Sequence, residues 1–280
     1  MRVIDQPGAL KRWRAGCTRP VHLVPTMGNL HSGHLRLVEQ AAADDAEVVV
    51  SIFVNPTQFA PGEDFERYPR TPDADLDTLS GTGCDVVWMP APETMYPLPE
   101  ASRFGLRPPP ALAGCLCGAH RPGHFDGVCN VVMRLFWQIR PDRAFFGEKD
   151  YQQFVILKKM AEDFSLPTVL EPVATVREPD GLALSSRNRY LDAAERPIAA
   201  GLHQALCELA ERARKAGPGT FPVLERSAKT RLETMGFRPE YVEIRDSETL
   251  GPPTGRRDRA FAAAWLGRAR LIDNVALRRQ

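Results

Sequence analysis

Strand-like and helix-like segments alternate along the first 176 residues, and this alternation restricts the fold more than any other feature. The run EVVVSIFV (47–54) is apolar and rich in β-branched residues, which is typical of a parallel strand buried on both faces. Further strand candidates are VHLV (21–24), DVVWM (85–89), RAFFG (143–147) and TVLEPVATV (168–176). Helical patterns lie in the segments between these strands. Since parallel strands are joined by right-handed crossovers, the sequence predicts an α/β fold, with a Rossmann-like sheet domain over residues 1–175.

The pattern changes after about residue 176. Helical patterns cover 193–216 and 222–235, and EYVEI (240–244), RAFAAAWL and RARLIDNVAL are typical of short antiparallel strands. We therefore expect a smaller α+β domain over residues 176–280. The Pro- and Gly-rich stretch 90–125 is expected to be irregular, and the basic tail and GRRDR (255–259) are expected to be solvated surface.

Net charge and hydropathy exclude several function classes. The formal net charge is +1, so the chain as a whole has no strong electrostatic attraction to nucleic acid or to an anionic membrane. No apolar run reaches the roughly 18 residues of a spanning helix, and the N-terminal residues lack the apolar core of a secretory signal. We therefore expect a cytoplasmic protein with neither a nucleic-acid nor a membrane partner.

One cysteine cluster raises the possibility of a metal site. Cys115 and Cys117 lie in CLCGAHRPGH together with His120 and His124. The Cys-x-Cys spacing is shorter than that of common zinc sites, and no second cysteine pair follows at finger spacing. Buried, reduced thiols are the competing interpretation, so no metal-ligating residue is assigned.

The strongest chemical signal is HSGH (31–34), which follows the strand VHLV and precedes the predicted helix HLRLVEQAAADD (34–45). Open parallel sheets bind ligands at this strand end, and a helix N-terminus attracts phosphates. Histidines placed there can donate hydrogen bonds to phosphate oxygens. The motif is short, however, and two ordinary turn histidines are the alternative.

Two distant segments strengthen the phosphate interpretation. FFGEKD (145–150) repeats the construction of strand, glycine, charged residues and helix, and its Lys149 supplies a point charge. LALSSRN (182–188) adds two hydroxyl groups and a guanidinium. Three donor segments fit a nucleoside triphosphate that is held from several sides. The chain has no P-loop motif, so it is not a P-loop nucleotide-binding protein. It also lacks G-x-G-x-x-G after the first strand, which weakens a dinucleotide-binding interpretation.

Six blocks in this order resemble the pantoate–β-alanine ligase family. HSGH with the LSSR loop is similar to the HIGH and KMSKS pair of the adenylyl-transferring nucleotidyltransferases. The blocks are PTMGNLHSGHL, FVNPTQF, YPRT, RPGHFDGV, RPDRAFFGEKDYQQ and GLALSSRNRYL, and they span about residues 24–191. The resemblance implies that ATP adenylates (R)-pantoate with release of pyrophosphate, and that β-alanine then displaces AMP to form pantothenate. It also implies Mg²⁺ with the ATP phosphates and a homodimer.

The resemblance also implies residue roles. His34 matches the proton donor, while His31 and Lys149 face the phosphates. Gln58 and Gln153 match the residues that hold pantoate, Gln58 also touches the β-alanine site, and Asn55 and Tyr68 belong to the same pocket and its gate. The implied ATP residues are Met27, Gly28, Asn29, Leu30, His31, Ser32, Gly33 and His34; Gly147, Glu148, Lys149 and Asp150; Val176; and Leu184, Ser185, Ser186 and Arg187.

The chain departs from the family pattern at Ala74, at Cys129-Asn130 and at Trp137, and two other functions stay open. Ala74 stands in PDADLD where the family often has an acidic residue, which puts a metal role for that loop in doubt. A different nucleotidyltransferase of the same fold would release pyrophosphate without forming an amide. A non-catalytic nucleotide- or zinc-binding module would bind its ligand without turnover.

Overall fold

A computed structural model describes residues 1–277. The chain has two compact units, and six parallel strands form the sheet of the first unit. The strands are β1 (Arg2–Ile4), β2 (Val21–Thr26), β3 (Glu47–Ile52), β4 (Val86–Trp88), β5 (Arg143–Gly147) and β6 (Val169–Val173). They lie in the order β1-β4-β3-β2-β5-β6, and every neighbouring pair is parallel. The central strands are almost entirely buried because helices cover both faces of such a sheet.

Helices connect the strands and continue into the C-terminal part. They are α1 (Pro7–Ala15), α2 (Ser32–Ala41), α3 (Pro72–Leu79), α4 (Pro92–Met95), α5 (Pro110–Ala113), α6 (Leu116–His120), α7 (His124–Ile139), α8 (Tyr151–Asp163), α9 (Glu195–Ala199), α10 (Gly201–Lys215) and α11 (Phe221–Thr234). Short 3₁₀ turns cover Pro56–Gln58, Glu100–Ser102, Glu148–Asp150, Ser186–Tyr190 and Pro218–Thr220. Within residues 1–277, none of the helices combines the length and apolar character that a membrane span needs.

The order of the sheet places its switch point between β2 and β5. These strands are hydrogen-bonded neighbours, with His22 opposite Arg143 and Leu23 opposite Ala144, although more than 100 residues separate them in sequence. From β2 the chain proceeds outward to β3, whereas from β5 it proceeds in the other direction to β6. A crevice at the carboxyl ends of such a strand pair is the usual ligand site of an open α/β sheet.

The second unit has its own sheet and core. Strands β7 (Arg238–Asp246), β8 (Asp258–Leu266) and β9 (Ala269–Ala276) form an antiparallel sheet in that order. Alternate alanines of β8, at positions 260, 262 and 264, are fully buried together with apolar residues of α10 and α11. The predicted fold class, a parallel α/β sheet followed by a smaller α+β part, is confirmed.

The division of the chain into units is not a single cut. The first unit comprises residues 1–108, 121–148 and 156–174, and the second comprises 109–120, 149–155 and 175–280. The segment that contains Lys149 therefore packs with the second unit, although it lies earlier in the sequence. The boundary predicted at residue 175 stays a prediction, and the basic tail at 278–280 lies outside the described residues.

Several local predictions are wrong in part. The stretch 90–125 is only partly irregular, because the short helices α4, α5 and α6 lie in it, and prolines at the first helical position begin two of them. GRRDR is not uniformly solvated: Arg256 is exposed, but Arg259 is only 7% exposed because it belongs to β8. Helix α2 begins at Ser32, before the predicted start at His34, so that His34 lies inside the first turn.

Candidate active site

The loop after β2 turns through two residues in the left-handed region. Gly28 has φ +75° and Asn29 has φ +50°, a region that glycine and asparagine adopt at low cost. The Gly28 amide donates to Thr26 Oγ1 at 3.2 Å. A Cβ at position 28 would lie 2.8 Å from Asp75 Oδ2 and 3.1 Å from an Ile52 methyl group. Glycine at this position is therefore required by both the φ angle and the close approach of α3.

Asp75 of α3 anchors this loop. Its Oδ2 accepts a hydrogen bond from the Asn29 amide at 2.9 Å, and its Oδ1 accepts one from the Leu30 amide at 2.7 Å. The residue is only 3% exposed. In the sequence, Asp75 is the residue after Ala74 in PDADLD, and no pattern there predicted this role. The available signal was an acidic residue in the first turn of a helix, and it did not identify the partner, because 45 residues separate Asp75 from Leu30.

His31 and His34 form a reciprocal cap at the start of α2. His31 Nδ1 accepts a hydrogen bond from the Gly33 amide at 3.1 Å, and His34 Nδ1 accepts one from the His31 amide at 3.3 Å. The ring centroids are 4.0 Å apart. Because a backbone N–H occupies each Nδ1, the neutral form of each ring carries its hydrogen on Nε2. Two imidazole N–H donors thus lie at a helix N-terminus, where the helix dipole favours an anion.

A network of amides lies after β3 and contacts the first loop. Gln58 Nε2 lies 3.2 Å from Met27 Sδ, and Gln58 Oε1 accepts from Asn55 Nδ2 at 3.0 Å. Asn55 is 1% exposed, donates to the Gly127 carbonyl at 3.1 Å and accepts from Tyr96 Oη at 2.7 Å. The structure therefore joins a predicted ATP segment to a predicted pantoate residue. Sequence reasoning missed Tyr96, since it lies in the stretch that was expected to be irregular.

Arg121 connects the segment after Gln58 to the start of α7. Its guanidinium donates to Glu63 at 2.8 and 2.6 Å and lies 3.0 Å from His124 Nε2. His124 Nδ1 in turn lies 2.8 Å from the Gln58 carbonyl oxygen. Although burial opposes ionisation, the hydrogen bonds from Arg121 hold the pKa of Glu63 below its usual value. Tyr68, the predicted gate residue, is buried in the same segment.

The second predicted ATP segment begins at the end of β5. Gly147 is the last residue of that strand, which pairs with β2, and Glu148 follows it in the first unit. Lys149 and Asp150 belong to the second unit, and Lys149 Nζ lies 3.4 Å from Asp150 Oδ2. Predicted ATP residues thus occur in both units.

Within the second unit, predicted ATP residues lie at a cavity, in a hairpin and in a 3₁₀ turn. Lys149 and Ser185 line one cavity together with Asn188, His203 and Asp273. Two predicted ATP residues meet in a hairpin, because the Leu184 amide donates to the Val176 carbonyl at 3.0 Å. Ser186 and Arg187 follow in the 3₁₀ turn that Ser185 caps.

A buried carboxylate supports that hairpin. Asp273 of β9 accepts from Arg177 at 2.7 and 2.9 Å and from His203 Nδ1 at 3.0 Å, while Arg177 also donates to the Gly181 carbonyl. Burial opposes ionisation, but hydrogen bonds from His203 and Arg177 lower the pKa of Asp273 below its usual value. Sequence reasoning missed this network, since its members are up to 96 residues apart.

Gln153 lies half-buried on α8 beside a more deeply buried amide. Gln152 accepts from the Cys117 amide at 3.0 Å and donates to the carbonyls of Leu112 and Cys115 at 2.9 Å each. Gln152 therefore attaches the segment 109–120 to α8. The predicted contact between Gln153 and pantoate stays a prediction.

The cysteine cluster has no metal-site geometry. Cys117 Sγ lies 3.1 Å from Tyr241 Oη, and burial raises the pKa of the Cys115 thiol. In the part of the chain covered by the structure, no three His, Cys, Asp or Glu side chains are placed to hold a metal ion together. The zinc hypothesis therefore has no geometric support.

Comparisons with known proteins agree with this arrangement. The family model for pantoate-beta-alanine ligase matches residues 2–276. A pantothenate synthetase of Thiobacillus denitrificans is 51% identical over 254 residues, which cover 90% of this chain and 89% of the relative. A pantothenate synthetase structure from Thermus thermophilus is 42% identical with a TM-score of 0.91, and covers 100% of both chains. A pantoate-beta-alanine ligase from Francisella tularensis, solved in complex with beta-gamma ATP and beta-alanine, is 30% identical with a TM-score of 0.82, over 100% of this chain and 99% of that one. The chain therefore belongs to the pantoate–β-alanine ligase family.

Proposed function

We propose that this protein is an AMP-forming ligase that condenses (R)-pantoate with β-alanine to give pantothenate. The pantoate carboxylate attacks the α-phosphorus of ATP, the bond to the β,γ-pyrophosphate breaks, and a pantoyl adenylate forms. The β-alanine amine then attacks the acyl carbon, AMP leaves with the bond electrons, and the amine loses its proton. No protein nucleophile is needed, so the chain contributes positioning and charge stabilisation.

The observation that carries the proposal is the pair of histidines at the start of α2. Each Nδ1 is engaged by a backbone amide, which leaves Nε2 as the N–H of each neutral ring. We assign His31 to the ATP phosphates, and we assign His34 to the charge and proton that develop as pyrophosphate leaves. Donors that are fixed before the reaction stabilise developing charge without a reorganisation cost.

The amide network beside Met27 supports the assignment of pantoate to this strand end. Gln58 lies against Met27 and is oriented by Asn55, which is itself held by Gly127 and Tyr96. Amides bind hydroxyl and carboxylate oxygens without adding negative charge near two anionic reactants. We assign Gln58 and Gln153 to pantoate, Gln58 also to β-alanine, and Lys149 with the LSSR loop to the phosphates.

Mg²⁺ is part of this proposal. Asp75 is a carboxylate next to Ala74 in α3, but each of its oxygens accepts a hydrogen bond from a backbone amide. Mg²⁺ commonly keeps several waters and is bound through substrate phosphates. We infer that the ion enters with the triphosphate and that it would neutralise charge on the phosphate oxygens.

An omission assay tests the function. AMP and pyrophosphate are measured with ATP, pantoate and β-alanine together and with each one left out. We expect AMP and pantothenate only in the complete mixture, and ADP in none. When β-alanine is omitted, adenylate formation releases at most about one equivalent of pyrophosphate per enzyme. Pyrophosphate released over many turnovers without an amide product would identify a different nucleotidyltransferase, and ATP binding without turnover would identify a binding module.

Assembly and location are proposed on the family resemblance. We propose a homodimer, which is consistent with two strongly exposed aromatic side chains in the first unit, Phe104 at 99% and Trp137 at 77%. Light scattering after size exclusion would give twice the mass of 31.1 kDa, and the chain mass would contradict the dimer. We propose a cytoplasmic location, which fractionation of the source cells would test.

A further inference from the structure

Strand β9 of the second unit reaches the segment that contains Lys149. Asn274 Nδ2 donates a hydrogen bond to the Lys149 carbonyl oxygen at 3.0 Å, across 125 residues of sequence. Asn274 is 5% exposed. None of the sequence motifs included this residue, and none of the three substrates is assigned to it.

The other end of the same amide is also held. Asn274 Oδ1 accepts a hydrogen bond from Arg259 Nη1, and this contact fixes the orientation of the side-chain amide. The Arg259 guanidinium carbon lies 3.8 Å from the centroid of the Tyr151 ring, a cation–π contact between two buried side chains. Tyr151 begins α8, two residues after Lys149. Asn274 and Arg259 therefore contact this segment at the Lys149 carbonyl and at the Tyr151 ring.

This arrangement fixes the backbone from which the Lys149 side chain extends. A hydrogen bond to the Lys149 carbonyl restrains the peptide plane between Lys149 and Asp150 and thus the direction of the Cα–Cβ bond. The four-carbon side chain is otherwise flexible, so the backbone decides where the ammonium group can reach. A displacement of about 1 Å at a charge-stabilising group is enough to reduce turnover roughly 10²-fold.

We propose that Asn274 is a positioning residue for Lys149, and that it acts through the Lys149 carbonyl with Arg259 as its support. The inference rests on the proposed function, in which Lys149 binds the ATP phosphates. Asn274 itself touches no substrate in this proposal. The C-terminal sheet would then contribute to adenylate formation as well as to folding.

The isosteric variant Asn274→Asp tests the inference. It keeps an oxygen for Arg259 but places a second oxygen, instead of an N–H donor, against the Lys149 carbonyl. We expect kcat for AMP formation to fall about 10²-fold with the KM for β-alanine unchanged. Asn274→Ala removes the donor without adding a charge, and we expect it to lower kcat for AMP formation as well. Wild-type kcat in either variant would overturn the proposal.

A matched control separates positioning from loss of stability. Thr168 Oγ1 donates to the Pro141 carbonyl at 2.8 Å and is buried to a similar degree, but it precedes β6 at the opposite end of the strands from the loops of the site. Thr168→Val removes a buried side-chain donor to a carbonyl, as the Asn274 variants do. We expect it to lower the melting temperature without lowering kcat. If Thr168→Val lowers kcat as much as the Asn274 variants, the loss reflects stability and the proposal is wrong.

A double-mutant cycle tests whether the effect passes through the lysine. In a Lys149→Ala background, single-turnover AMP formation should change by less than about threefold on adding Asn274→Asp, since the group to be positioned is gone. Equal fold-losses in both backgrounds would overturn the proposal. The wild-type protein supplies the separate control for function: if it forms no AMP, the proposed function fails before Asn274 is tested.

Discussion

Gly127 lies against the turn that contains Gln58, the residue proposed to bind pantoate, and Gly127→Ala is the sharpest test of that packing. Helix α7 passes the 3₁₀ turn Pro56–Gln58 so closely that a Cβ at position 127 would lie 2.3 Å from the Thr57 carbonyl oxygen and 2.6 Å from the Gln58 nitrogen. Ordinary contact begins at 3.4 Å. Because both groups are backbone, no side-chain rotation relieves the clash, and the turn must move by about 1 Å.

The expected energies have opposite signs. Alanine in place of glycine favours a helix by about 0.5–1 kcal/mol, whereas overpacking of a close contact costs about 1–3 kcal/mol. We therefore expect a net destabilisation of up to about 2.5 kcal/mol. The effect on activity is larger, because the turn contains Gln58 and is preceded by Asn55, which donates to the Gly127 carbonyl. A shift of about 1 Å there should lower kcat/KM for pantoate about 10²-fold.

Steady-state kinetics with pantoate as the varied substrate, together with thermal unfolding, measure both effects. Gly8→Ala is the matched control, since Gly8 is also helical and its Cβ would meet only the flexible end of Arg12 at 3.6 Å. That variant should be slightly more stable and fully active. If Gly127→Ala has the wild-type kcat/KM for pantoate, the turn does not position the pantoate residues and the reasoning is wrong.

The loop anchor, the histidine pair, the buried ion pair and the metal offer four further tests. The two carboxylate oxygens of Asp75 each accept a hydrogen bond from a backbone amide, and Asp75→Asn replaces one of these oxygens with an NH₂ donor. We therefore expect at least a tenfold loss of kcat and about 1–3 kcal/mol of destabilisation. Unchanged kinetics with ATP would contradict the anchoring role. His31→Asn and His34→Asn keep an acceptor for the cap but lose the imidazole Nε2–H; we expect a higher KM for ATP from the first and a kcat roughly 10²-fold lower from the second, whereas equal losses in KM alone would refute the division. Asp273 has a lowered pKa in the folded state, so its stabilisation is complete above the ordinary Asp pKa of about 3.9 and is lost as the pH falls through the lower folded value. Urea unfolding should therefore show Asp273→Asn roughly 3 kcal/mol less stable than wild type near neutral pH, with the difference shrinking below about pH 4; a constant difference would argue against the ion pair. Chelation of Mg²⁺ with EDTA should abolish AMP formation and added Mg²⁺ should restore it; full activity in EDTA would exclude the metal.

Local pattern was informative where one short segment carries its own signal. The β-branched run of β3 and the strand–helix alternation predicted the parallel sheet. Short helices between residues 90 and 125 were missed, because four- and five-residue helices carry no periodicity. Arg259 was misjudged, since a charge run indicates solvent unless a partner such as Tyr151 is known.

Neighbouring residues alone were enough to establish the fold class and the family, because each strand, helix and motif block carries its signal within a short segment. The roles of Asp75, Gly127, Asp273 and Asn274 became visible only in the folded chain. Each acts on a backbone group, a side chain or a turn that lies at least 70 residues away, apart from Asp75, whose partner Leu30 is 45 residues away. A hydrogen bond or a steric limit depends on distance in space, and no local pattern records which distant atoms the fold brings together.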